Sequence, residues 1–447
     1  MEVDDQQHFD HAPRHVASMS LATSPSPPDA PRRPRSGGRT VKIPPRTRPA
    51  RFSRAFRRTT FVAALLILFT LIPVLTYAGI KASLNDQSGR NVGGPVDENA
   101  PGYQALVTPT PTALLLQINN VRSLVGITLL AAGGGKGGGG ALFIPAALQP
   151  DPNSTSTQTL ADVYASGGPT AATAALRKLF KMSLDSVTTV DATRWTQLVQ
   201  PAGPLTFDNS DELVDPASGT TFRAGRITLE PSQVATYLAL RNSGEEENAH
   251  LYRHQLLWQA WLAAVAKVGG ADVVPGESGS GLGSVVRALA GGEVQYATLP
   301  IKPATSTSTS STSTSTPTGS DTAKTYLPDV DAVPGVLAEM VPFPAAGDAG
   351  DRLKVRLLDG RGDRPGALAA AAVLVPAGAA VTVFGNADRF TYDKTEVRYY
   401  NSARQNGARA MAKAMGAGEP ILQENQTDTV DVTVIVGRDF APVGTTK

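Results

Sequence analysis

LKVRLLDGRGDRPGALAAAAVLVPAGAAVTVFGNADRF, residues 353–390, decides how the C-terminal part of the chain is read. Leu353, Val355 and Leu357 fall on alternate positions, the period of a strand with one buried face. The pattern predicts a helix over residues 366–373 and a second strand over 380–384. Further on, residues 396–399 predict a strand, 403–415 a helix and 430–436 a closing strand. The order β-α-β-β-α-β is the split arrangement of ferredoxin-like domains, so residues 351–440 are expected to form a small α+β domain of that type, with a tail at 441–447. The region lacks the clustering of acids, histidines and nucleophiles that chemistry needs.

Moving outward, TSTSTSSTSTSTPTGS (305–320) is an almost pure Ser/Thr tract that cannot bury apolar surface. It predicts a linker over 301–350, dividing residues 108–300 from residues 351–440. Within 108–300, buried strands are expected at 113–116, 124–130 and 141–145, with the glycine run 133–140 as a connection. Gly168-Pro169 should open a helix carrying Ala172, Leu176, Leu179 and Phe180 on one face. A strand at 187–190 and helices at about 232–240 and 249–266 follow, the last with Leu257, Trp258, Trp261 and Val265 on its apolar side. Strands alternating with helices argue for an α/β domain.

Nearer the N-terminus, TTFVAALLILFTLIPVLTYAGI (59–80) carries no charge and is long enough to span the roughly 30 Å hydrocarbon core as a helix. Pro73 would kink such a helix without abolishing it. Arg51, Arg54, Arg57 and Arg58 precede the segment and only Lys81 follows it closely, so the positive-inside bias puts the N-terminus in the cytoplasm and the rest outside, in a single pass of the cell membrane. Residues 1–58 are rich in Pro, Arg and Ser and are expected to be a disordered basic tail, and 81–107 a polar stalk. The basic run has no folded context, and attraction to anionic headgroups accounts for it without a nucleic-acid partner.

At 447 residues, with 41% hydrophobic content, the chain has room for about two to three domains. Its net charge of +2 conceals the run Arg32, Arg33, Arg35, Arg39, Lys42, Arg46, Arg48, Arg51, Arg54, Arg57 and Arg58, with no acid among them. The absence of cysteine excludes disulfides, thiolate catalysis and cysteine-ligated metals.

The opening stretch, with Tyr392, residues 395–397 and the closing VDVTVIVGRDF (430–440), resembles the LytR C-terminal domain of actinobacterial envelope proteins over about 352–440. Residues 108–300 resemble the LytR-CpsA-Psr (LCP) catalytic domain. The matching pieces are LLLQINN (114–120), RSLVGITLL (122–130), ALFIPAAL (141–148), LADVYASGGPTAATAALRKLF (160–180), MSLDSVTTVDATRW (182–195), RITLEPSQVATYLALRN (226–242) and LYRHQ (251–255). The resemblance implies a membrane-anchored phosphotransferase that moves glycopolymers from a polyprenyl-pyrophosphate carrier onto peptidoglycan, using arginines, acidic residues and a divalent cation. Such a leaving group develops negative charge that arginine forks and Mg²⁺ stabilise, while a carboxylate positions the metal or accepts a proton.

Carried over position by position, the resemblance gives Arg122, Arg241, Arg253 and Gln255 as candidates for binding an anion or pyrophosphate. The acidic and arginine positions are replaced by Leu124, Ala146 and Ala147, Asn119-Asn120 stand where an acid is expected, and Glu247 falls where the family has an aspartate. No catalytic residue and no metal ligand are assigned, and Mg²⁺ enters only if the chain is active. Arg253 shares a helical face with Leu257 and Trp261, so its head should point inward; alternatively it snorkels at the end of the apolar stripe or pairs with an acid. Arg241, just past a helix ending at Leu240, has the alternative of a cation at a helix C-terminus.

Several signals are set aside. AAGGGKGGGG (131–140) has Gly137 where a phosphate loop needs Ser or Thr after the lysine, and reads as a hairpin tip. Arg361-Gly362-Asp363 reads as chance, the sequon at Asn153 carries no meaning if the source is a bacterium, and His250 with His254, spaced for a metal, read as a solvated helix start. Three functions remain: a degenerate, non-catalytic relative binding lipid-linked polymer, peptidoglycan or wall-assembly proteins; an active Mg-dependent transferase using substituted groups such as Asp151 or Asp162; and an attenuator-like membrane regulator.

Overall fold

The computed structural model describes residues 95–441 apart from residues 96, 135–136, 155, 217, 270–272, 277–279, 305–323, 349 and 425–428. The expected basic tail, the membrane segment 59–80 and residues 81–94 of the expected stalk lie outside the described residues. Among the described residues no helix is long and apolar enough to cross a membrane.

β1 (Gln104–Leu106) comes first, then β2 (Thr112–Ile118), β3 (Leu124–Ala132) and β4 (Gly139–Ile144). The last three are almost wholly buried, as apolar strands covered on both faces must be. α1 (Leu160–Phe180) starts earlier than expected, because Thr159 and Asp162 close a capping box ahead of it; Gly168, at φ 65°, interrupts it where a start was predicted. β5 (Ser186–Val190), α2 (Ala192–Val199), β6 (Leu205–Asn209), β7 (Leu213–Val214), β8 (Thr221–Phe222), β9 (Gly225–Leu229), α3 (Val234–Ala239), α4 (Glu247–Val268), α5 (Gly281–Ala290) and β10 (Val294–Thr298) complete the predicted α/β alternation.

The first sheet has the order β10-β4-β3-β2-β5, with β2, β3 and β4 antiparallel and the two outer strands added in parallel. Alternate residues divide between two cores. Ala113, Leu115 and Leu130 face α2–α5, with Trp195, Trp258 and Trp261, while Leu114, Leu116 and Leu129 face α1.

Residues 301–350 do not form a linker between domains. β11 (Ile301–Pro303) and β12 (Tyr326–Pro328) pair antiparallel, and Ala304 N donates to Thr325 O at 2.9 Å. Ala304 and Thr325, on either side of the Ser/Thr tract, therefore meet at one hairpin. α6 (Val333–Met340) then lays Val333, Leu337 and Met340 on the same core as α1, so hairpin and helix belong to the first domain. The sequence showed the tract's polarity but not that the residues flanking it pair.

The C-terminal domain contains β13 (Leu353–Asp359), α7 (Arg364–Leu374), β14 (Ala379–Asn386), β15 (Glu396–Tyr399), α8 (Gln405–Met415), β16 (Glu419–Leu422) and β17 (Val432–Val436). All the predicted elements are present, and β16 is additional. The sheet order β1-β14-β13-β17-β15-β16 is not the ferredoxin-like one. β13 and β14 are direct parallel neighbours, and so are β15 and β16, whereas a split βαβ unit leaves room for a strand between its two strands. In the second half, α8 leads into β16 beside β15, and β17 lies between β15 and β13.

β1 also departs from expectation, since residues 97–107 are not a free stalk. β1 pairs antiparallel with β14, and Tyr103 and Val107 are buried against the C-terminal domain. Thr110 continues the contact, exchanging bonds of 2.9 and 3.1 Å with Phe343.

Arg352, 8% exposed, joins the two domains directly. It donates to Phe180 O and Lys181 O at the end of α1 (3.3 and 3.0 Å), and to Val375 O and Ala379 O after α7 (2.9 and 3.3 Å). Burial pushes its pKa down to about 10, so it stays charged at neutral pH. Arg352→Met should lower stability by about 3 kcal/mol in urea unfolding, because four buried carbonyls lose a charged donor. Arg404→Gln, which breaks a half-buried pair with Asp431 at the surface, should cost under about 1 kcal/mol.

Candidate functional site

Three consecutive acids, Glu245-Glu246-Glu247, lead into α4 directly after the loop that carries Arg241. The fold turns them back on the candidate arginines. Arg241 grips Glu247 with both terminal nitrogens, at 2.6 and 2.9 Å, and that carboxylate is buried. Arg253 is 1% exposed and meets Glu245 at 2.7–2.9 Å through Nε and one terminal nitrogen. It also donates to Leu240 O at 2.9 Å and His250 Nδ1 at 3.1 Å, and its guanidinium lies 5.8 Å from the Tyr237 ring. Glu246 remains outside and pairs with Lys324 at 2.7 Å. Two buried-side carboxylates thus answer two guanidinium groups, and Arg253 does point inward as its helical face requires.

The histidines are core residues, not a solvated helix start. His250 and His254 are each 1% exposed, with ring centroids 4.5 Å apart. His250 Nδ1 faces the Arg253 donor, which places its proton on Nε2. His254 Nε2 bonds Leu238 O at 2.9 Å. Gly126 on β3 makes room for this ring, since a Cβ there would stand 2.8 Å from His254 Cε1. Burial holds both imidazoles neutral: His254 is pushed down to about 3, and His250 is also strongly lowered, with His254 and the two arginines adding to the effect. Neither offers a metal site, and no cluster of three or more ligating side chains occurs among the described residues.

Arg122 and Gln255 take no part in the ion-pair cluster. Arg122 is exposed in the β2–β3 turn at φ 62°, where Asn119 Oδ1 accepts from Val121 N and Ser123 N. Gln255 is half-buried on α4. Where the resemblance leads one to look for charge, Leu124 and Ala146 are buried apolar residues. Asp162 is bound into the capping box, which lowers its pKa, and Asp151 is held low by Lys178 at 2.9 Å.

Below Arg253 on α4 the interior is filled. Leu257, Trp258 and Trp261 are at most 1% exposed, and Trp195 packs on both tryptophans with centroids 5.9 and 5.7 Å away. A cavity of about 890 Å³ lies elsewhere, between Asp151, Lys178 and Pro334 of the first domain and Arg352 and Arg404 of the second. Sequence reasoning left the acid that pairs with Arg253 unnamed; the acidic run 245–247, with Glu245 eight residues before Arg253, was the available signal.

Two outcomes follow. Glu245→Gln should destabilise the chain by about 3–5 kcal/mol by leaving a buried guanidinium unpaired, and combining it with Arg253→Met should recover part of that loss in a double-mutant cycle. The histidines set a pH dependence. Their folded pKa values lie below the ordinary 6.5, so the unfolded chain binds more protons and stability falls as pH drops below 6.5. Unfolding at pH 5 against pH 7.5 should show a loss of about 2 kcal/mol per histidine, removed for His254 by His254→Gln.

Residues 352–440 match the family model described as LytR cell envelope-related transcriptional attenuator. No curated protein matches the chain in sequence. Among solved structures, the chain is similar to the LytR-Csp2A-Psr enzyme from Actinomyces oris (TM-score 0.40, 16% identity, covering 56% of this chain and 97% of that one). It is also similar to TagV of B. subtilis (0.38, 14%, 52% and 97%) and to a transcriptional regulator from Enterococcus faecalis (0.39, 13%, 54% and 91%). Residues 352–440 are thus the part of the chain that matches the LytR C-terminal family.

Proposed function

We propose that the chain is a membrane-anchored, non-catalytic relative of the LCP glycopolymer transferases that serves cell-wall assembly by binding. The anchor is the segment 59–80, the N-terminus is cytoplasmic, and both domains stand outside the membrane. The observation that supports this most is the internal pairing of the two arginines. A guanidinium that holds pyrophosphate must offer its donors to the ligand, and Arg241 and Arg253 give theirs to Glu247 and Glu245.

The residues present do not fit a divalent cation. Leu124 and Ala146 bring no oxygen ligand, and the nearby acids are held by the arginines. The packing of Trp195, Trp258 and Trp261 beside Arg253 argues against a polyprenyl chain in that interior and favours binding through outer surfaces to wall polymer or assembly proteins. The full chain in detergent, given a polyprenyl-pyrophosphate glycan with Mg²⁺ or Mn²⁺, should release no more product than a buffer control. Turnover that disappears in Arg241→Ala would refute the reading.

A further inference from the structure

We propose that the edge of β14 is a strand-docking groove whose ligand is the segment 98–107, and that a second copy of this chain can supply that segment, so that two chains pair by exchanging it. The groove is built for one particular extended peptide. Gln104, Ala105 and Leu106 lie opposite Gly385, Phe384 and Val383, and the ladder extends beyond them at both ends. Gly102 N donates to Ala387 O at 2.8 Å, Asn386 N to Tyr103 O at 2.7 Å, and Val107 N to Thr382 O at 2.9 Å.

Two groove residues serve this contact directly. A Cβ on Gly385 would stand 2.0 Å from Tyr103 O, so only glycine lets the segment approach. Asn386, 3% exposed, directs its side-chain amide at the carbonyls of Glu98 and Ala100, at 2.9 and 2.8 Å. Arg364 meets Glu98 at 3.3 Å on the rim. Everything recognised lies within residues 98–107, and nothing in the contact distinguishes that segment from the same residues of another copy.

The joint suits exchange. Thr108-Pro109 leads from the segment in neither helix nor strand, and Pro109 has no N–H, while Thr110 stays fixed by its bonds with Phe343, so the segment would turn out at the Thr108-Pro109 step. β1 is only three residues long and lies at the sheet's edge, where strands are most readily replaced. The cis arrangement wins through the millimolar effective concentration that a short connection gives. Chains crowded at high local density, or with the clasp weakened, reach the regime where trans pairing competes.

The chain has no cysteine, so a pair can be introduced cleanly. Full-length chains carrying Leu106→Cys and Val383→Cys, in two differently tagged forms, would be mixed in detergent, incubated with mild denaturant and oxidised. Disulfide-linked dimers bearing both tags, rising with concentration and abolished by Gly385→Leu, are expected beside intramolecular disulfides. Intramolecular disulfides alone over a hundredfold range of concentration, or mixed dimers that persist with Gly385→Leu, would overturn the proposal. Should the cysteine variant fail to fold, a labelled peptide of residues 97–108 is titrated onto full-length chain carrying Tyr103→Ser and Val107→Ser. Saturable binding weakened at least tenfold by Gly385→Leu supports exchange, and binding no tighter than that of a scrambled peptide refutes it.

Discussion

A single buried guanidinium holds the two domains in register. Arg352 sits where the C-terminal ends of α1 and α7 converge, and its partners are carbonyl oxygens of both domains. Helix C-termini carry partial negative charge and unpaired carbonyls, so two of them facing each other would repel and leave acceptors unsatisfied. One cation between them resolves both problems. The contact is worth more than its bond count because neither domain alone would bury that charge, and the packing of Phe343 and Val107 into the C-terminal core follows from the same docking.

The Arg253 cluster uses the same side chain differently. There the charge is met by a carboxylate, and the surrounding carbonyls and histidines only complete the donor set. A buried ion pair of this kind gives little net stability, because desolvation offsets the Coulomb attraction, but it penalises heavily any state that separates the partners. The loop from Arg241 to Glu247 is thereby held in one conformation. The neutral histidines belong to the same logic, since a charged imidazole beside Arg253 would bring like charges together in a low dielectric.

The alternation at 353–357, the helices and the closing strand were legible because each follows a local period, and the resemblance at 352–440 came from contiguous residues. What was not legible was non-local. The sheet order turned on the direct pairing of β13 with β14 and on the extra β16, whose Glu419-Pro420-Ile421-Leu422 has neither clear alternation nor length. The Ser/Thr tract looked like a spacer because composition reports solvation and not whether two ends meet. At the candidate site, spacing placed Arg253 on the inward face correctly, but its partner depended on the turn at 242–246 folding back, which no periodicity encodes.

The pairing of β1 with β14 also bears on how the chain is made. The first strand among the described residues completes a sheet whose other strands begin at Leu353, so synthesis delivers it long before its partner exists. Until β14 is formed, residues 98–107 must wait unpaired while the whole first domain folds. Closing a loop of that length is slow but adds little to the entropic cost once the rest is in place, because that cost grows only logarithmically with length. The last event of folding is therefore expected near the chain's beginning, and a nascent chain stalled before residue 379 would present an unclaimed strand.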